Sequence, residues 1–167
     1  MTRSYSMQAV SHAAARAVHL AGLYLRRIDE NARIHDVQLD PRFQQRGVDL
    51  LWEREDLPLE GIEVKGDRQP KRGNYFFELV SNLEKNTPGC FLYSEADVFL
   101  YVFLQPREVH RLPMPATREW FLKNAKSFPL KHTQTRAGLG TYTTVGAVVP
   151  VREVLAQVPG ASKSKLV

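Results

Sequence analysis

Two carboxylates and an ammonium, Asp49, Glu63 and Lys65, stand in short apolar segments where charged side chains are seldom placed without a partner. The segments are Gly47-Val48-Asp49-Leu50-Leu51-Trp52 and Gly61-Ile62-Glu63-Val64-Lys65-Gly66-Asp67. In an extended strand, residues two apart share a face, so Glu63 and Lys65 project side by side while Ile62 and Val64 turn to the opposite, core face. A solvated strand face is the plain alternative for that pair. Asp49, between Val48 and Leu50, is harder to explain that way. If two adjacent strands bring the three groups to one edge, the carboxylates can hold Mg²⁺ or Mn²⁺, with the Val64 carbonyl as a further oxygen ligand. Such an ion acidifies bound water and stabilises charge on a phosphate. Lys65 would orient or help deprotonate the attacking water and offset negative charge.

The elements that must position these groups follow from periodicity and punctuation. From Gln8 to Ile28, apolar positions Val10, Ala13, Ala14, Ala17, Ala21, Leu25 and Ile28 recur every three or four residues, the helical period. Short strand-like segments follow at Arg33–Leu39, Gly47–Trp52, Gly61–Gly66 and Asn74–Val80, each bounded by turn residues. Their spacing predicts sequential antiparallel hairpins. Val98–Leu104 reads as a strand buried on both faces, and Val109–Leu112 as its partner. Thr117 is a cap for a helix over Arg118–Lys126. A late strand spans Thr141–Val149, and Pro150 opens a short helix to about Ala156. The reading is one domain over residues 1–160 and a basic, fraying tail over 161–167.

Asp49, followed 14 residues later by Glu63-Val64-Lys65 on the next strand, resembles the signature of the PD-(D/E)XK nuclease superfamily. Val48 stands where that family usually has Pro or a small apolar residue. The stretch Gly73-Asn74-Tyr75-Phe76-Phe77-Glu78 is similar to small phage or plasmid nucleases of the same superfamily. The resemblance runs from the first helix to about Leu104 and implies an α/β fold of the α+β type. Its core would be αβββαβ and restriction-endonuclease-like, a mixed central sheet flanked by helices, with extra C-terminal strands and helices. It implies a metal-dependent DNA endonuclease with Asp49, Glu63 and Lys65 catalytic and Glu78 near the site on the third strand. Many members carry an acid on the first helix. Here Gln8–Ile28 has none, which leaves Glu78 to complete the ligand set, or a single metal. The helix between the third and fourth strands is interrupted at Pro88-Gly89. The alternative on the same fold is a non-catalytic DNA-binding module.

Composition fits this reading. Hydrophobic residues make up 43% of the 167, enough for one core, and the net charge of +5 suits a polyanionic partner. Candidate DNA contacts are Arg68, Lys71 and Arg72 after the Lys65 strand, Gln45 and Arg46 before Asp49, and Arg16 in a stripe with His12 and His19. Each is otherwise an ordinary exposed residue. A homodimer or tetramer is expected, since one small site cuts one strand and a duplex needs two. One cysteine, Cys90, makes an internal disulfide impossible and points to the cytoplasm. No cleavable leader and no membrane-length apolar run are expected. His110 and His132 lack a third ligand for zinc, and there is no phosphate loop for a nucleotide cofactor.

Overall fold

Helix α1 (Met7–Ile28) buries Ala17, Leu20, Ala21, Tyr24 and Leu25 as one apolar stripe. The structure, a computed structural model, describes residues 3–68 and 73–166. The stripe lies on a six-stranded sheet of β2 (Arg33–Asp36), β3 (Leu50–Glu53), β4 (Glu60–Asp67), β7 (Val98–Phe103), β8 (Glu108–Pro113) and β11 (Ser162–Lys165). Its order is β11-β8-β7-β4-β3-β2. All neighbours are antiparallel except β4 and β7, which run parallel with Ile62 opposite Val98. The chain is therefore α+β with a mixed sheet flanked by helices. Small residues set how close α1 comes: a Cβ on Gly66 would lie 2.8 Å from the Ala17 Cβ and 3.1 Å from the Ala13 carbonyl.

The face of this sheet away from α1 packs on a second sheet, ordered β1-β9-β10-β5-β6. Its strands are β1 (Arg3–Ser6), β5 (Asn74–Asn82), β6 (Thr87–Pro88), β9 (Leu130–Ala137) and β10 (Gly140–Pro150). Strand β7 feeds both cores, and all six of its residues are buried, as its unbroken apolar run predicts. Val98, Leu100 and Val102 join α1, whereas Phe99, Tyr101 and Phe103 join the aromatic cluster between the sheets. In that cluster Tyr75 meets Tyr101 edge-on at 4.9 Å and Phe77 stacks on Phe91 at 4.0 Å. Helices α3 (Cys90–Tyr93), α4 (Ala116–Asn124) and α5 (Val151–Gln157) contribute Phe91, Phe121 and Val154. Buried His110 shares a hydrogen bond of 2.6 Å with the Tyr75 hydroxyl and also bonds Glu108.

Several expectations are corrected. The segment Asn74–Val80 forms no hairpin with β4, because β3 and β7 already occupy both edges of β4. It crosses to the second sheet as β5 and pairs with β10. Strand β9 was not anticipated. Its two faces, Lys131-Thr133-Thr135 and His132-Gln134-Arg136, are both polar, so no apolar alternation marks it. The expected fraying tail instead contains β11, paired with β8, and Leu166 is buried. Thr117 does not cap α4. It sits inside the first turn and its hydroxyl donates to the Pro113 carbonyl at 2.7 Å. As Pro88-Gly89 suggests, α3 is only four residues long.

Candidate active site

Asp49 immediately precedes β3 and is held there by its own backbone. Its N–H donates to the Ile62 carbonyl at 2.8 Å, and its carbonyl accepts from Val37 at 2.9 Å. The carboxylate turns back onto β4, where Oδ2 accepts the Val64 N–H at 2.8 Å. The N–H and C=O of one strand residue point the same way. The Val64 carbonyl is therefore directed to the edge that Asp49 occupies.

Side-chain alternation along β4 is as the sequence predicts. Ile62 and Val64 pack with α1, and Glu63 and Lys65 project toward the second sheet. Glu63 lies within reach of the charge of Asp49. Burial, then the charge of Asp49, pushes Glu63 up to about 9; burial likewise raises Asp49, against the pull of the Val64 N–H. Burial, with a second carboxyl within reach, disfavours ionising both groups, so Glu63 favours its protonated form. A cation can take the place of that proton.

Lys65 Nζ donates to Glu78 Oε2 at 2.9 Å, across from β4 to β5. Burial alone would lower the lysine pKa, but Glu78, with Cys90 and Glu63, raises it instead. The ammonium is held charged. Glu78, expected as a possible metal ligand, thus meets the site by way of Lys65. Among the described residues no group of three or more His, Cys, Asp or Glu is arranged to hold a metal ion. The acidic pair and the Val64 carbonyl are the donors that lie together.

Two contributors were not legible in the sequence. Cys90 lies beside Glu63, and burial pushes its thiol up to about 12, so it stays an uncharged S–H group. It reaches Glu63 because a Cβ on Gly89 would run into the backbone of Glu78 and Leu79; only glycine lets α3 start against β5. Tyr93, 41% exposed, rests over Gly47, whose φ is +60° and where an added Cβ would meet the ring at 3.0 Å. Burial, with the nearby Cys90, Glu63, Glu78 and Asp49, raises the pKa of the Tyr93 hydroxyl.

The remaining candidates are dispersed. Arg68 is exposed at the end of β4 and lines a cleft of about 310 Å³ between the sheets. That cleft adjoins Lys65 and Glu78 but not Asp49 or Glu63. Lys71 and Arg72 lie outside the described residues. Gln45 is exposed at the end of α2 (Pro41–Gln44), and Arg46 pairs with Glu95 at 2.6 Å. Arg16 is exposed on α1, across the sheet from Glu63 and Lys65. No helix among the described residues is long and apolar enough to cross a membrane. Comparison with family models, curated proteins and solved structures finds no match.

Proposed function

We propose that this protein is a metal-dependent endonuclease of the PD-(D/E)XK type that hydrolyses phosphodiester bonds in DNA. The observation that carries it is the convergence along β4 of the Asp49 carboxylate, bonded to the Val64 N–H at 2.8 Å, with Glu63 within reach of its charge and Lys65, two residues further on, bonded to Glu78 at 2.9 Å. The arrangement of the first sheet also supports it: α1 leads into the antiparallel strands β2, β3 and β4, and after β5, β6 and α3 the chain returns as β7, parallel to the strand that carries Glu63 and Lys65.

The donors fit a hard divalent cation. Asp49, Glu63 and the Val64 carbonyl would hold Mg²⁺, or Mn²⁺ in its place, which when bound supplies a more acidic water and charge for the scissile phosphate. The Val64 N–H fixes the orientation of the Asp49 carboxylate, and Cys90 lies beside Glu63. Lys65, held charged by Glu78, is unsuited to take a proton from water. Its role is to orient the attacking water by donating to it and to offset charge on the phosphate.

Incubation of supercoiled plasmid with Mg²⁺ tests the reading. The wild type nicks DNA, Asp49→Ala and Lys65→Ala do not, and EDTA stops the reaction. Equal cleavage by all three proteins, or none from the wild type on a broad DNA panel, overturns it. DNA binding unaffected by Asp49→Ala, with no cleavage by either protein, identifies the non-catalytic module instead.

A further inference from the structure

We propose that the cleft beside Lys65 seats one unpaired nucleotide of the substrate strand, next to the bond that is cut. This rests on the nuclease reading and names the form of DNA that its site takes.

The cleft has the chemistry of a nucleotide. One face of β9 supplies Lys131, Thr133 and Thr135, and Tyr142 stands beside them on β10, its Cα opposite Thr135. Phe76 and Val148 form an apolar floor. A base has two apolar faces and a polar edge. Tyr142 and the floor suit the faces, since stacking on aromatic rings accepts any base. Threonine hydroxyls both donate and accept, so they satisfy varied base edges. Lys131 supplies a cation for a phosphate. The volume of about 310 Å³ matches a small ligand pocket, not a duplex.

Its position does the rest. Lys65 belongs to both the cleft and the acidic site, and Glu63 lies about 7 Å from it along β4, two strand residues away. That is the order of one nucleotide step. A phosphate at Asp49 and Glu63 therefore places its neighbouring nucleotide at the cleft. A base paired within a duplex cannot enter it, so the nucleotide must be out of the stack. The site should prefer strands with a gap, flap, frayed end or single-stranded stretch.

The experiment compares Thr133→Trp, which fills the cleft, Lys131→Ala, which removes its cation, and Gln134→Trp, which places the same bulk on the opposite face of β9. Binding of a fluorescent single-stranded oligonucleotide and of a blunt duplex is measured in Ca²⁺, and cleavage of both in Mg²⁺, with melting temperatures recorded. The wild type favours the single strand. Thr133→Trp and Lys131→Ala each lower that preference at least tenfold, and Gln134→Trp leaves it unchanged. If both cleft variants bind and cut like the wild type, or the wild type favours blunt duplex, the cleft assignment is overturned while nuclease activity stands. If Thr133→Trp fails to fold, Lys131→Ala alone decides. Wild-type protein that cuts neither substrate overturns the nuclease reading and this inference with it.

Discussion

Lys65 on one sheet and Glu78 on the other meet at 2.9 Å, with side chains 29% and 15% exposed. This bond joins the sheets at the edge of the acidic site and keeps the ammonium charged. Loss of the lysine would leave Glu78 facing Glu63 with no cation between them. Lys65→Ala is expected to destabilise the fold by about 1–3 kcal/mol in chemical denaturation. It should lower cleavage by about 10²–10³-fold, the usual cost of removing one preorganised donor. Glu78→Gln keeps the shape and releases the lysine, so it should shift the pH profile of cleavage more than its maximum.

The acidic pair gives stability a pH dependence of defined sign. Glu63 is pushed up to about 9 in the folded chain, against an ordinary 4.5. Between these values the unfolded chain has lost the proton that the folded chain keeps. Stability is thus full below the ordinary value and falls as pH rises toward the folded one. Thermal melts in EDTA should show a falling melting temperature across that window, and Glu63→Gln should flatten it. A flat wild-type profile would mean that Glu63 titrates as an ordinary glutamate.

Metal binding should oppose that loss. At a concentration about 100 times its dissociation constant, Mg²⁺ would add about 2.7 kcal/mol, each kcal/mol being roughly 2–4 °C at this chain length. Because the cation displaces a proton, affinity should tighten as pH rises. Asp49→Ala should abolish the shift. An unchanged melting temperature with Mg²⁺ or Mn²⁺ in the wild type would argue against the site.

Close packing of α1 on β4 makes Gly66 intolerant of a side chain. Gly66→Ala would bring a methyl within 2.8 Å of Ala17 and cost about 1–3 kcal/mol in an unfolding titration. Since Gly66 follows Lys65, a parallel fall in cleavage would show that the helix sets the height of the catalytic strand.

Much of this arrangement was legible in the chain because it depends on local periodicity. The helical repeat over α1, the two-residue alternation at Ile62-Glu63-Val64-Lys65 and the apolar run of β7 each report directly which face is buried. What escaped depends on pairing at long range. Nothing in Asn74–Asn82 says that its partner lies at Gly140–Pro150, and β9 is polar on both faces. Cys90 looked like core filler because its contact with Glu63 depends on Gly89 passing close to β5, a tertiary event. Glu78 was near the site as expected, but its bond to Lys65 follows only from the second sheet.

The pairing of β11 with β8 also bears on handling the protein. Strand β8 has β7 on one side, and β11 supplies its other neighbour, fastened by Leu166 N–H on the Arg107 carbonyl at 2.8 Å and by Arg27 on the Lys165 carbonyl at 3.2 Å. Deleting residues 161–166 would bare a row of unpaired peptide groups on β8, a template on which a second molecule can add its own strand. Trimming those residues for convenience would therefore favour self-association over a simple loss of stability.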